Sequence, residues 1–230
     1  MAAVITEKKM NQTFLNIRGG KLRQKVEEGN INSELFTWTD KDTGVQKQKY
    51  ELSFDAWAGT IKSVIFNDTD YGMQCYIELD DATIVLPCSM QRSRHFVDFA
   101  KRIKNADITK ELLFDPFDFV SAEDKKVQGL AMYEGVKSAE TKLTNCYYDV
   151  VKKQWDKVLP KPEEDPEHMD KDDWKTFYNG KMRKFYIKQV EKQFKKLNEE
   201  SEALIKATPE QEKEVSAAVT ETFDIKDLPF

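Results

Sequence analysis

One long run of strand-forming residues decides the fold: YELSFDAWAGTIKSVIF, at positions 50–66. It is rich in aromatic and β-branched residues, but it is far longer than the usual strand of about 5 or 6 residues. Gly59 lies near its middle, where a glycine permits the sharp bend that a small barrel requires. The run therefore predicts a strand that bends and serves two parts of a compact β-structure.

Shorter runs of the same kind lie on either side of this stretch. They occupy residues 14–18, 35–39, 71–79, 83–86, 117–120 and 128–133, and turn signals separate them at residues 19–20, 40–44, 67–70 and 80–81. One helix is predicted over residues 89–104, because Phe96, Ala100 and Ile103 recur at helical spacing and Ser89 can cap its start. The order of strand, bend, hairpin, strand, helix and hairpin suggests a compact barrel.

Composition narrows the class of protein. The 230 residues carry a formal net charge of -5, which argues against a uniformly basic protein that coats any polyanion. Three cysteines, Cys75, Cys88 and Cys146, form no CxxC pair and indicate reduced thiols rather than a disulfide framework or a cysteine zinc site. No apolar run approaches the roughly 18 residues of a membrane span, and no signal-peptide core is present at the N-terminus. We therefore expect a soluble, cytoplasmic protein with no membrane partner.

The chain changes character after residue 150. Residues 160–173 contain three prolines and many acidic residues, which is typical of a linker. An amphipathic helix is predicted over 181–206, its apolar stripe formed by Met182, Phe185, Tyr186, Val190, Phe194, Leu197, Ser201 and Leu204. Its basic face has three interpretations: a binding surface for a polyanion, a resting place for an acidic tail, or the solvated side of an ordinary docked helix. The sequence thus divides into a domain at 1–150, a helical extension at 151–206 and a tail at 207–230.

The tail is acidic and ends in an apolar cluster. Its polar composition predicts disorder, and its last residues read DIKDLPF at positions 224–230. Phe230 and the terminal carboxylate together suit a small hydrophobic pocket rimmed by Arg or Lys on a partner protein. The alternative is that these residues dock on their own domain.

Residues 224–230 resemble the conserved tip of bacterial single-stranded-DNA-binding proteins, an acidic stretch ending in Asp-Ile-Pro-Phe, with Leu228 in place of Ile. The rest of the chain is more similar to the divergent phage-encoded members of that family. The resemblance implies an OB-fold, a five-stranded barrel with a helix between strands 3 and 4, which is compatible with the predicted order. It also implies that the tip recruits replication and repair proteins through Asp224, Asp227, Leu228, Pro229 and Phe230.

Single-strand binding requires aromatic faces on which bases stack. Between residues 50 and 59, Leu52 and Phe54 alternate with polar residues, and continuing that alternation places Trp57 on the solvent side. The same reasoning directs Tyr76 outward in residues 71–79. Phe36 and Trp38 share one face of a third strand, where they either stack bases or fill the core.

Single-strand binding also requires cations that follow the phosphates. The candidates are Arg18, Lys21, Arg23, Lys25, Lys47, Lys49, Lys62, Arg92 and Arg94. Residues 18–25 are the densest basic segment, and Gly19 and Gly20 within it would let the backbone approach a phosphate.

The sequence thus predicts a mainly β protein with an α extension that coats single-stranded DNA in replication, recombination or repair, and that is not an enzyme. An adaptor that binds protein or RNA is the first alternative, and a metal-dependent nuclease is the second. The nuclease would use Asp68, Asp70, Asp80 and Asp81, which turn signals explain equally well. His95 and His168 lie far apart in sequence and belong to no catalytic motif, so we expect neither cofactor nor metal.

Overall fold

The structure is a computed structural model, and it describes residues 13–40, 43–70, 72–88, 94–149, 151–156, 159 and 171–220. The strands are β1 (Thr13–Arg18), β2 (Lys21–Val26), β3 (Glu34–Thr39), β4 (Gln46–Phe54), β5 (Trp57–Gly59), β6 (Ser63–Thr69), β7 (Gly72–Glu78), β8 (Ala82–Pro87), β9 (Leu112–Val120), β10 (Lys126–Glu134), β11 (Tyr148–Asp149) and β12 (Gln154–Trp155). The helices are α1 (His95–Arg102), which a single 3-10 turn at Ile103–Asn105 extends, and α2 (Lys171–Thr220). The prediction of a mainly β protein with an α extension is confirmed.

Two open sheets carry most of the strands. The larger sheet has the order β3-β4-β2-β1-β8-β7-β6, in which only β1 and β8 run parallel, and the smaller sheet has the order β10-β9-β5. The prediction of a closed five-stranded barrel is therefore wrong in its closure. The barrel would close if β8 paired with β10. Instead β8 pairs with β1, and the sheet continues from the hairpin of β1 and β2 to β4 and β3.

The long run at positions 50–66 forms three strands rather than one. β4 ends at Phe54, β5 joins the smaller sheet, and β6 begins at Ser63 as the far edge of the larger sheet. Near Gly59, where a bend was predicted, the chain leaves the smaller sheet and enters the larger one at Ser63, and a Cβ built on Gly59 would lie 3.0 Å from the Leu79 Cβ. The crowded backbone thus explains why glycine stands where the chain passes between the sheets.

One hydrophobic core lies between the larger sheet, the smaller sheet and the helices. Strands alternate inward and outward residues, so Leu15, Leu22, Ile77 and Ile84 are fully buried on the core side of the larger sheet. They pack with residues of α1, β9 and β10, among them Phe96, Phe99, Phe114, Leu130 and Met132. This burial fixes which face of the larger sheet turns away from the core.

The first helix is shorter than predicted but uses the predicted face. It begins at His95, and Phe96, Ala100 and Ile103 are buried as their spacing indicated. Ser89, the proposed cap, lies outside the described residues.

The second helix is longer than predicted at both ends. It begins at Lys171, inside the predicted linker, and continues to Thr220, so the prediction of disorder is wrong for residues 207–220. Glu, Gln, Lys and Ala dominate residues 210–218, and these are strong helix formers that a count of polar residues overlooks. Residues 221–230 lie outside the described part of the chain.

The apolar stripe of α2 docks on the domain. Met182, Tyr186, Val190 and Phe194 are buried. The Asn198 side chain accepts a hydrogen bond from the Val64 N–H (3.0 Å) and donates one to the Val64 carbonyl (2.8 Å). Because β6 is an edge strand, this pairing satisfies backbone groups that would otherwise face solvent. The part of α2 from Met182 to Asn198 is therefore packed on the β-domain.

Candidate nucleic-acid interface

The face of the larger sheet that turns away from the core gathers most of the predicted binding residues. Directly paired residues of antiparallel strands project to the same side, and the observed pairs include Arg18 with Lys21, Phe36 with Lys49 and Trp38 with Lys47. We call this surface the outer face. Its predicted site residues are Arg18, Lys21, Arg23, Lys25, Phe36, Trp38, Lys47 and Lys49 on β1 to β4, and Tyr76 on β7.

The two aromatic residues of β3 are stacked on each other. The ring centroids of Phe36 and Trp38 are 5.7 Å apart, and the rings are inclined by only 16°. Neither ring belongs to the hydrophobic core, and 37% of Trp38 is exposed. Of the two interpretations that the sequence left open, the structure supports a surface position for this pair.

Arg18 lies flat against Phe36. Its guanidinium carbon is 3.2 Å from the centroid of the Phe36 ring, and its Nη2 donates to the carboxylate of Glu51. Glu51 is only 3% exposed although it is charged, and Lys49 Nζ contacts its other oxygen at 2.7 Å. A buried carboxylate is tolerable only when it is paired, and here two cations pair with it.

Lys49 connects this ion cluster to the aromatic pair. Its Nζ lies 5.6 Å from the centroid of Phe36 and 5.6 Å from that of Trp38. At that distance a cation is attracted by the negative faces of both rings. Positive charge and aromatic surface are therefore contiguous on this corner of the sheet.

The remaining cations of the outer face differ in their partners. Arg23 Nη1 contacts Glu34 at 2.6 Å, and this hydrogen bond lowers the pKa of the Glu34 carboxyl. Lys21 contacts Asp55 at 3.2 Å, and Lys47 pairs with Asp40. Lys25 makes no ion pair with any described residue. On β1 to β4 the cations of this face outnumber the carboxylates, so it is basic within an acidic chain.

Further aromatic residues extend the outer face toward β7. Tyr76 is half-buried beside Val85, and the burial of Cys75 and Ile77 on the opposite face confirms its predicted direction. Phe14 lies beside Thr83 and is 45% exposed, although it was not among the predicted site residues. Strand alternation could have identified it, because the next residue, Leu15, is buried in the core. Five strand spacings separate β3 from β7, or about 24 Å.

The prediction that Trp57 faces solvent on this surface is wrong. Trp57 belongs to the smaller sheet, packs against the core, and meets Phe54 edge-on with centroids 4.9 Å apart. Its indole N–H donates to Asp81 at 3.1 Å. The alternation does not continue from β4 into β5 because the strands are interrupted after Phe54.

Two of the predicted cations, Lys62 and Arg94, are not brought to the β1–β4 surface. Lys62 precedes β6 and contacts Asp80 at 2.7 Å, which lowers the pKa of the Asp80 carboxyl. Arg94 precedes α1, whose Phe96 and Phe99 pack into the core on the opposite side of the sheet. Arg92 lies outside the described residues.

The glycines of the basic segment form the turn between β1 and β2. Gly19 (φ 58°) and Gly20 (φ 70°) are its two residues, and their conformation favours glycine at both positions. A Cβ on Gly20 would lie 2.5 Å from the backbone nitrogen of Asp118, whereas nothing lies within 4 Å of a Cβ on Gly19. β9 therefore occupies the space beside Gly20 and leaves the space beside Gly19 open.

The described residues give no support to a metal-dependent nuclease. Among them, no three His, Cys, Asp or Glu side chains are grouped to hold a metal ion. Asp80 instead accepts the Thr60 N–H at 2.9 Å, which is the structural role that its turn position indicated. Burial raises the pKa of the Cys75 thiol well above its ordinary value, so that thiol is a poor nucleophile.

The tip residues Asp224, Asp227, Leu228, Pro229 and Phe230 lie outside the described residues. Among the described helices, none has an apolar stretch long enough to cross a membrane. Comparisons with protein-family models, with curated proteins and with solved structures found no match. The function proposed below therefore depends on the chemistry of the outer face and on the tail.

Proposed function

We propose that the protein is a non-enzymatic single-stranded-DNA-binding protein that holds the unpaired strand on the outer face. The observation that carries the proposal is the surface stack of half-buried Phe36 and exposed Trp38 beside Arg18 and Lys49. Stacking on an aromatic side chain contributes about 1 to 3 kcal/mol per base, and neighbouring cations attract the phosphates. A soluble fold gains little from large stacked rings outside its core, so their placement favours a role in binding.

The same chemistry favours single strands over duplexes. A base in a duplex is stacked on its neighbours and paired, so its flat face is not available to Trp38 or Tyr76. The stack accepts any base, and the described cations reach phosphates rather than base edges, so sequence preference should be low. Aromatic residues from β3 to β7 span about 24 Å, which is enough for several extended nucleotides.

The connectivity of the β-domain supports an OB-like arrangement. The bent β5 and β6, the hairpin to β7, then β8, α1, β9 and β10 follow one another in OB-fold order. We propose that the chain is an opened OB-fold, in which the hairpin of β1 and β2 occupies the place where β8 would meet the last strand. That hairpin supplies Arg18, Lys21, Arg23 and Lys25, so the opening of the barrel would enlarge the binding face.

The tail adds the second half of the proposal. The resemblance of residues 224–230 to the tip of bacterial single-stranded-DNA-binding proteins supports a role in recruiting replication and repair proteins. In this proposal Phe230 and Pro229 fill an apolar pocket on the partner, and Asp224, Asp227 and the terminal carboxylate meet its basic rim. The protein would act in the cytoplasm of a bacterial cell, including one infected by a phage.

The test is a titration of the full chain with fluorescently labelled oligothymidylate and with a duplex of equal length, at two salt concentrations. Affinity for the single strand should exceed affinity for the duplex and should fall as salt rises. Binding to neither would overturn the proposal and favour the adaptor. Shortening of the label in the presence of Mg²⁺ would instead favour the nuclease.

A further inference from the structure

Arg18 has a geometry that differs from that of the other cations on the outer face. A separation of 3.2 Å between its guanidinium carbon and the Phe36 centroid leaves room only for two flat groups lying face to face. Arg23 and Lys21, by contrast, contact carboxylates and no ring. Arg18 therefore lies with the flat face of its guanidinium on a ring, whereas Arg23 and Lys21 direct their charged nitrogens at carboxylates.

Glu51 fixes that orientation. It accepts from Arg18 Nη2 while its second oxygen contacts Lys49, and it is almost completely buried. An ion pair inside the protein is screened far less than a surface pair, so the carboxylate offsets much of the Arg18 charge. A guanidinium with its charge offset and its edge occupied is a poor phosphate contact.

Part of the Arg18 side chain remains exposed. Phe36 covers one face of the guanidinium and Glu51 one edge, yet 35% of the side chain is exposed. Unpaired bases stack on guanidinium planes as well as on aromatic rings, because both present flat, polarizable surfaces. The face of the guanidinium opposite Phe36 is therefore the candidate surface for a base.

We propose that Arg18 is a stacking platform for an unpaired base, sandwiched between that base and Phe36, and that Glu51 is the residue that positions it. This inference rests on the proposed function and revises the phosphate-binding role expected for Arg18 from the sequence. Trp38 and Arg18 then offer two separate flat surfaces along one strand of DNA.

The test compares two ligands of about 12 nucleotides that carry the same phosphates, an oligothymidylate and an abasic oligomer. Arg18→Lys keeps the positive charge and removes the plane. It should weaken oligothymidylate binding roughly fivefold or more and leave the abasic oligomer within about twofold. The matched control is Arg102→Lys, at an arginine of α1 that lies off the outer face and contacts Asp98 at 3.0 Å, and it should leave both affinities within about twofold.

The outcomes separate a failure of the Arg18 proposal from a failure of the proposed function. If Arg18→Lys changes neither affinity, or lowers both equally, Arg18 is not a base platform. If the unsubstituted protein binds neither oligomer, the proposed function itself fails; if it binds both equally, the protein binds phosphates and the stacking role is overturned.

A second variant tests Glu51 separately. Glu51→Gln can still accept from Arg18 but no longer offsets its charge, so it should tighten abasic binding and steepen the salt dependence while the preference for oligothymidylate declines. Glu140→Gln removes an exposed carboxylate elsewhere and controls for net charge. Near-ultraviolet circular dichroism checks that the variants are folded. An unchanged preference in folded Glu51→Gln would show that Glu51 does not position the platform.

Discussion

Single residues on the outer face acquire their roles from cross-strand neighbours. Phe36 is flanked by Trp38 from its own strand and by Arg18 from β1, two strands beyond its partner β4. Strand alternation predicted that Tyr76 faces outward and that Phe36 and Trp38 share a side, because each depends only on the register of one strand. The burial of Glu51 was not predictable in that way, since it requires three strands to be placed together.

Replacing Trp38 by Ala should weaken binding of oligothymidylate by roughly 5- to 100-fold, because one stacked base loses about 1 to 3 kcal/mol. Fluorescence anisotropy with a labelled oligomer measures the change. Trp155→Ala is the matched control, since Trp155 is 56% exposed but packs against Tyr148 in the two-stranded sheet, with the two rings tilted by 58°. Equal losses in the two variants would contradict a site on the outer face.

Lys25 tests the electrostatic part of the site. It is exposed on β2 without an ion pair to a described residue. Lys25→Ala should therefore reduce the slope of log affinity against log salt by about 0.7, which is the counterion release expected for one phosphate of a single strand. Titrations at four salt concentrations give the slope. Lys110→Ala, at a cation that pairs with Glu134 off the outer face, should leave the slope unchanged. If both variants reduced the slope equally, or if neither did, Lys25 would not belong to the binding site.

At the scale of elements, the β1–β2 hairpin determines where the cations lie. Gly19 and Gly20 were predicted from the sequence to form a turn. The close approach of β9 to Gly20 was not predictable, because β9 is nearly 100 positions away in the chain. The same limitation applies to α2: its apolar stripe was predicted from helical spacing, whereas the docking of Asn198 on the edge of β6 was not. Local periodicity reveals the face of an element and does not reveal its neighbour.

The two turn glycines should differ in their tolerance of alanine. Both have positive φ, so Gly19→Ala should lower the free energy of unfolding by about 1 kcal/mol. Gly20→Ala should lower it by roughly 1 to 3 kcal/mol more, because its Cβ would collide with the Asp118 backbone. Urea unfolding of both variants measures the difference. Equal losses would mean that the hairpin does not rest on β9.

At the scale of the whole molecule, the larger sheet consists mostly of pairings between strands that are close in sequence, and one long-range pairing joins its two halves. A mainly β chain with one inserted helix and an α extension was predictable from strand runs and turn signals. The open seven-stranded sheet was not, because the parallel pairing of β1 with β8 joins segments about 70 positions apart. Trp57 shows the consequence for the site. Because β5 belongs to the smaller sheet, Trp57 does not lie on the outer face, although its local sequence pattern predicted a solvent-facing position.

The pH dependence of stability should reveal the buried His95. Burial lowers its pKa from the ordinary 6.5, and Asp98 and Asp118 offset this only in part. The unfolded chain therefore binds the proton more readily, so stability is full above about pH 6.5 and declines as the pH falls below it. Thermal unfolding from pH 8 to pH 5 should show this decline. It should disappear in His95→Gln and persist in His168→Gln; persistence in both would assign it to other groups.

The central claim is that unpaired bases lie on the outer face of the larger sheet. Photo-crosslinking of the full chain to an oligonucleotide that carries 5-iodouracil, followed by mass spectrometry, locates the contacted aromatic residues most directly. We expect adducts on Trp38 and Tyr76, lost when an excess of unlabelled oligothymidylate is added. Adducts confined to Trp57, Trp155 or Phe177, with none on the outer face, would contradict the account.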